Sequence, residues 1–257
     1  MREEYPLHSR RLHEEGFPAP FLRPWMEAGV GDLACWRGEP EVAGRALRVA
    51  VIGTRNAGPA SLVAVEALST RLADEGAPVV SGAAAGTDLA AHRAALEAGG
   101  STVACLPFGL GFVANPDFGG RAFLADEPGR ALLLSPFAHG QRPTRQTPVV
   151  RNRLIAAFSH AVVVGEAQPE SGTYHCAAFA LRIGRPVFVL RAEEPAPAEL
   201  RRLQRQVTAR NGGRVYTAEE CYGEALAREV LAAAGRFARK ERRREAAQPD
   251  LLEGGRT

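Results

Sequence analysis

The sequence predicts an α/β fold, a doubly wound and mostly parallel sheet covered by helices, and three observations carry that prediction. Short apolar runs rich in valine and leucine recur from Leu47 onward, as strands buried on both faces of a parallel sheet require. Between them lie segments with apolar residues at helical spacing. The runs break off at glycine-containing turns, and "VAVIGTRN", Val49 to Asn56, is the sharpest example: an apolar strand stops at Gly53, where the backbone can turn and come close to a ligand.

Taken in order, residues 1–45 are rich in Pro, Gly, Arg and Glu, too few and too broken to form an independent domain. They are expected to wrap a sheet edge, with Trp25 and Trp36 packed against the sheet. A core domain spans 46–217, with strands expected at Leu47–Ile52, Pro78–Ser81, Thr102–Leu106, Ala131–Leu134, Ala161–Gly165, Pro186–Leu190 and Arg214–Tyr216. After the first strand, Leu62, Val65, Leu68 and Leu72 repeat at helical spacing, and Gly76 ends that helix. Thr87 is placed to cap a helix beginning at Asp88, which Gly99 and Gly100 terminate. Thr147 and Pro148 supply the cap and first-turn proline of a helix running to Ser159, and Ser171 opens another that Gly184 closes. Residues 218–257 read as a helix from Ala218 to Ala247 and a polar tail. The helix ends in "RFARKERRRE", whose arginines either tether phosphates or form a solvated end.

At 257 residues the chain has room for one large domain with attachments. Its 46% hydrophobic and 24% charged content is that of a globular protein, and no apolar run approaches the roughly 18 residues of a membrane span. The charged start "MREEYPLHSRR" is unlike a signal peptide, so the cytoplasm is the expected location and no membrane partner is expected. A net charge of +3, from 32 basic and 29 acidic residues, does not by itself establish a nucleic-acid partner. Cys35, Cys105, Cys176 and Cys221 are widely spaced without a C-x-x-C pair, so they read as free thiols, with no metal site and no disulfide framework. No cofactor is expected: neither G-x-G-x-x-G nor G-x-x-x-x-G-K-[ST] occurs.

In an open parallel sheet, ligands sit beyond the carboxyl ends of the strands. Four loops there carry unusual residues. "GTRNAGPAS" offers Gly53, Thr54 and Arg55 ahead of a helix N-terminus, a setting that favours an anion. "SGAAAGTD" supplies Ser81, Gly82 and Gly86, again leading into a helix; its glycines either serve a ligand or make tight turns. "RQTPVVRNRLIAAFS" places Arg151, Asn152 and Arg153 near the start of a helix, where an arginine can fork onto a phosphate or pair with Asp88 or Glu166. In "ESGTYHCAAFAL", Ser171, Gly172 and Thr173 open a helix with free N–H groups and hydroxyls. Together the four describe a phosphate-binding edge.

These loops, in this order, resemble the DprA (Smf) family of DNA-processing proteins. The matching pieces are "VAVIGTRNAGPAS", "VVSGAAAGTDLAAHRAALEAGGSTVACLPFGL", "VVRNRLIAAFSHAVVVGEA" and "ESGTYHCAAFALRIGRPVFVL", within residues 47 to 190, joined by "YP" and "CWRGEPEV" ahead of them. The pattern S-G-x-A-x-G-x-D-x-x-A-H, met from Ser81 to His92, followed later by R-N-R, is specific. The resemblance implies an extended Rossmann-like three-layer αβα sandwich with a short N-terminal extension and a C-terminal helix. It further implies a non-enzymatic homodimer that binds single-stranded DNA and helps load a RecA-type recombinase in natural transformation. Carried over by position, the DNA-contacting candidates are Gly53, Arg55, Ser81, Gly82, Arg151, Asn152, Arg153, Ser171, Gly172 and Thr173. The chain departs from the family where "NAGPAS" follows "GTR" without a tyrosine, and where Tyr174 and His175 occupy positions usually held by small residues.

Further candidates are weaker. Arg142 and Arg145 sit in a polar loop and either track DNA or are merely solvated. Phe108 and Phe112 are the best placed aromatics for stacking on bases, and core roles are the alternative. Asp88 and His92, one helical turn apart, are expected to share a structural hydrogen bond. Two rival functions remain open. One is a nucleotide-binding sensor, whose loops would hold phosphate by the same physics. The other is a phosphoribohydrolase-like enzyme, which resembles a P-G-G-x-G-T-x-x-E signature; here "PESGTYHC" puts Cys176 where the acid should stand.

Overall fold

The computed structural model describes residues 6–45, 47–113, 121–127, 129–167, 171–190, 205, 207, 215–216 and 224–247. Its elements run β1 (His8–Arg11), α1 (Ala19–Ala28), β2 (Leu33–Arg37), α2 (Glu41–Gly44), β3 (Val49–Ile52), α3 (Pro59–Asp74), β4 (Val79–Ser81), α4 (Thr87–Glu97) and β5 (Thr102–Cys105). After a 3-10 turn at Leu110–Phe112 come α5 (Ala122–Ala125), β6 (Ala131–Ser135), α6 (Thr147–Ala157), β7 (Ala161–Val164), α7 (Gly172–Arg182), β8 (Val187–Leu190), β9 (Val215–Tyr216) and α8 (Glu224–Ala247). Among the described residues the strands form one nine-stranded sheet in the order β1-β2-β6-β5-β4-β3-β7-β8-β9. The seven strands read from the sequence are β3 to β9, all parallel, each within two residues of its expected bounds; Arg214 lies outside the described residues.

Alternation along β3 shows why the sheet is covered on both sides. Val49 and Val51 face Leu68 and Leu72 of α3 and Val230 of α8, while Ala50 and Ile52 face Leu154 and Ile155 of α6 and Cys176 of α7. Every β3 side chain is therefore buried, which accounts for an unbroken apolar run rather than an alternating one. A third cluster, with Leu106, Phe108, Leu110 and Leu124, seals the flank of β5 and β6.

Residues 6–45 take part in this architecture. β2 pairs antiparallel with β6, and β1 pairs antiparallel with β2. α1 contains Pro24 yet buries Phe21 and Trp25 at 0% exposure. Both rings meet Phe158 edge-on, with centroids 5.8 and 6.1 Å away. Aromatic truncations at such sites cost about 3–5 kcal/mol. At the other end of the chain, α8 lays Leu226, Val230 and Ala234 on the sheet and leaves Arg236, Arg239, Lys240, Arg242, Arg243 and Arg244 exposed; the expected residues 218–223 of this helix lie outside the described set. No helix among the described residues is long and apolar enough to cross a membrane. Cys35, Cys105 and Cys176 are buried free thiols, and Cys221 lies outside the described residues.

Two local expectations are corrected. Thr87 does not cap α4: Gly86 holds the cap position, and the Thr87 hydroxyl donates instead to the Thr54 carbonyl at 3.2 Å. His92 does not pair with Asp88. Its Nδ1 lies 2.5 Å from Thr102 Oγ1, whose hydroxyl donates to the Val79 carbonyl at 2.7 Å. Because the threonine proton is used there, His92 must donate from Nδ1, which leaves Nε2 as a buried lone pair without a partner.

Burial, aided by Arg151 and Arg121, pushes His92 down to about 3. Burial and nearby arginines push His160, whose Nδ1 accepts from the Arg48 backbone N–H at 3.0 Å, down to about 2. Both folded values lie below the unfolded value of 6.5, so the unfolded chain takes up these protons first. The stability due to each histidine is complete above pH 6.5 and lost as pH falls towards the folded values, on the order of 4 kcal/mol for His92 by about pH 3. Melting temperature should therefore fall between about pH 6.5 and pH 3, and His92→Gln should flatten the profile. An identical slope in that variant would contradict the account.

Candidate functional site

From β3 the chain proceeds through β4 and β5 to β6 on one side, then returns to place β7 on the other side of β3. The loops leaving the carboxyl ends of β3 and β7 thus diverge, and a crevice opens at this switch point. A cavity of about 340 Å³ occupies it. Its walls come from the loop after β3, the loop after β4 with the first turn of α4, the stretch of α6 from Pro148 to Ile155 and the N-terminal part of α7.

Three hydrogen bonds set the walls. Thr173 Oγ1 donates to the Gly53 carbonyl at 2.9 Å, tying α7 to the loop after β3. Asn152 Nδ2 donates to the Gly172 carbonyl at 2.9 Å, tying α6 to α7. The Thr54 N–H donates to the Glu166 carbonyl at 2.7 Å, fixing the loop after β3 against the one after β7. Ser171 caps α7, its Oγ accepting from the Tyr174 N–H at 3.4 Å. The first N–H groups of a helix have no partner within it, so Gly172 and Thr173 present theirs towards the cavity mouth. Arg55 is exposed at the rim.

The floor is charged. Arg151, only 6% exposed, reaches from α6 over the carboxyl edge of the sheet, and its Nη1 donates to the Cys105 carbonyl at 2.8 Å. Its Nε has no partner among the described residues. Asp88, also 6% exposed, accepts from the Ala84 N–H at 3.3 Å and faces Arg151. Burial pushes the Asp88 carboxyl up, and Arg151 opposes that shift. Burial likewise pushes Arg151 down against the pull of Asp88, and a guanidinium nevertheless keeps its proton at any working pH. Cys176, pushed up to about 12 by burial, is a neutral thiol donating to the Asn152 carbonyl.

The glycines have specific neighbours. A Cβ at Gly82 would overlap the Arg151 guanidinium, so this glycine makes the space through which the charge reaches the floor. A Cβ at Gly53 would overlap Thr87, and one at Gly86, where φ is +76°, would strike the Thr54 and Arg55 carbonyls. Gly53 and Gly86 therefore let the loops after β3 and β4 touch. Tight packing, rather than ligand contact alone, accounts for all three.

Of the candidate residues, the cavity brings together Gly53, Thr54, Arg55, Arg151, Asn152, Ser171, Gly172 and Thr173. The structure places others outside the cavity lining. Ser81 is 0% exposed and spends its hydroxyl on the Val51 carbonyl at 2.6 Å, so it offers a ligand nothing. Phe108 is 2% exposed in the flank cluster, with the Arg121 guanidinium 5.6 Å above its ring, and has no face for a base. Arg153 turns away, lying 5.9 Å from the Phe179 ring in a neighbouring groove between α6 and α7. Phe112 is half-buried beneath Arg142 at 5.4 Å, and Arg145 is exposed in the loop before α6. Pro148, Ile155, Ala84 and Asp88 line the cavity without having been selected from the sequence. The helical spacing of 148, 151, 152 and 155 is the signal that would have found the first two.

The chain is similar to a known group of proteins. Residues 32–208, more than half the chain, match the family described as DNA recombination-mediator protein A. The chain is 38% identical over 144 residues to the DNA processing protein DprA of Streptococcus pneumoniae, covering 56% of this chain and 50% of that one. It spans half or less of the length of the first curated relatives that it matches. The solved structure of Streptococcus pneumoniae DprA has a TM-score of 0.68 and 25% identity, covering 90% of this chain and 75% of its own. DprA from Helicobacter pylori, solved to explain its single-stranded DNA binding mode, shares the fold with a TM-score of 0.71 at 23% identity, covering 90% of this chain and 99% of its own. On the family match and these likenesses, the chain belongs to the DNA recombination-mediator protein A family, the DprA/Smf proteins.

Proposed function

We propose that the protein binds single-stranded DNA along the crevice between the loops after β3 and β7, without catalysing a reaction on it. As a cytoplasmic homodimer it would shield the strand and help load a RecA-type recombinase during transformation or recombination. The observation that carries the reading is the cavity itself: an arginine fixed beneath it, another at its rim, and the α7 N-terminus beside them. Such a site attracts phosphate and reads no base edge. The acid lining it, Asp88, is buried, accepts from the Ala84 N–H and lies in the field of Arg151, and Cys176 stands where a hydrolase would need a glutamate, so among the described residues these walls hold no acid poised for leaving-group chemistry.

A second reading, a nucleotide sensor, draws support from the cavity volume of about 340 Å³, within the range of small-molecule sites. The two differ in footprint. Strand binding strengthens with oligonucleotide length and falls steeply with salt, whereas a sensor saturates with one nucleotide.

Arg55→Ala should weaken binding to oligo-dT and lower the salt slope by about one, with melting temperature unchanged because Arg55 is exposed. Unaltered affinity would remove Arg55 from the strand path. Arg151 is not testable in the same way: its loss leaves Asp88 buried without its counter-charge, a defect of about 3–5 kcal/mol. Gly82→Ala probes it more gently. The added methyl displaces the guanidinium, so the variant should lose roughly 1–3 kcal/mol of stability and bind oligo-dT more weakly. Wild-type stability and affinity together would show that the floor charge does not depend on this gap.

A further inference from the structure

The opposite pole of the sheet, at the amino ends of β3, β7 and β8, holds a second cavity of about 340 Å³. It is closed by α1 on one side and α8 on the other, with Arg45 and Arg48 between them. We propose that it binds a small phosphate-bearing anion, with Arg45, Arg48 and Arg242 as the groups that meet it.

The charge count motivates the assignment. Five arginines line the cavity against two glutamates. Both carboxylates are already engaged: Glu27 and Glu241 pair with Arg185 at 2.5 and 2.9 Å, and Glu241 also pairs with Arg23 at 2.9 Å. Arg185 is a buried strut, 2% exposed, donating to the Ser159 and Ala157 carbonyls and stacked 4.2 Å from the Phe237 ring. Arg48 donates to the Phe158 carbonyl at 2.6 Å and to the Ala43 carbonyl. These two arginines serve the last carbonyls of α6, as cations at a helix C-terminus do. Arg45 and Arg242 have no such duty. Among the described residues neither side chain makes an ion pair or hydrogen bond, and Arg48 has no carboxylate bonded to it.

Three guanidinium groups therefore share one enclosure without a counter-charge bonded to them among the described residues. His160 registers the field: after burial, Arg48, Arg185, Arg242 and Arg23 all lower its proton affinity. Five guanidinium groups against two engaged carboxylates leave the cavity with an excess of positive charge, which a multiply charged anion balances. Planar guanidinium donors match phosphate oxygens. The volume is at the lower end of small-molecule sites, which fits a diphosphate or a nucleotide. An occupant would join the N-terminal helix, the base of the sheet and the C-terminal helix.

Calorimetric titration of the full chain with pyrophosphate at low salt tests this, beside Arg45→Gln/Arg242→Gln and Arg55→Ala. Because Arg45 and Arg242 are exposed and unbonded, the double variant should fold with an unchanged or slightly raised melting temperature. It should bind pyrophosphate about tenfold or more weakly while keeping wild-type affinity for oligo-dT. Arg55→Ala should show the reverse pattern, so this site and the strand cleft fail independently. In Arg55→Ala, displacement of bound pyrophosphate by oligo-dT would identify the phosphate as that of a strand, and retention would identify a free phosphate compound. Absence of pyrophosphate binding to the wild-type chain, or equal binding by the double variant, overturns the proposal.

Discussion

The crevice depends on one buried guanidinium. Arg151 starts on α6, on one face of the sheet, and crosses the carboxyl edge to the Cys105 carbonyl at the end of β5. It passes through the space that Gly82 leaves open and faces Asp88 on α4, which belongs to the opposite layer. The loops after β3, β4 and β7 are therefore arranged around a fixed positive charge. Arg151 and Asp88 attract each other without a direct ion pair among the described residues, and desolvation offsets most of that attraction. What this pair supplies is position: a cation that cannot swing into solvent, beneath a helix N-terminus whose N–H groups point the same way.

The parallel core was legible in the sequence because burial on both faces leaves a compositional trace. Val49–Ile52, Ala131–Leu134 and Ala161–Val164 are apolar throughout, and glycine or a polar turn ends each. The N-terminal strands left no such trace. β1 reads HSRR, polar at every position, and exists because β2 offers it an edge. α1 carries an internal proline and reads as broken, yet the contacts of Phe21 and Trp25 with Phe158 hold it as a helix.

The site was legible in kind more than in detail. Residue types at the loop positions pointed to the edge where the cavity lies, but side-chain roles depended on distant partners. Ser81 looked available and is consumed by Val51. Arg153 differs from Arg151 by two positions, about 200° around a helix, which separates a groove-facing arginine from a buried one. Gly82 resembled a turn residue, and nothing local announces that it makes room for Arg151. The fold also sorts charge by pole. The crossover helices point their N-termini at the carboxyl end, where few arginines are needed to attract phosphate, and their C-termini at the amino end, where Arg48 and Arg185 satisfy carbonyls.

The central claim is that a strand runs over the Arg151 floor between the loops after β3 and β7. A crystal structure of the full chain with oligo-dT tests it most directly. The account predicts backbone phosphates within hydrogen-bond distance of Arg55 and of the Gly172 and Thr173 N–H groups, above the Arg151 guanidinium. A strand bound elsewhere, for instance along the basic face of α8 with the crevice empty, would contradict it.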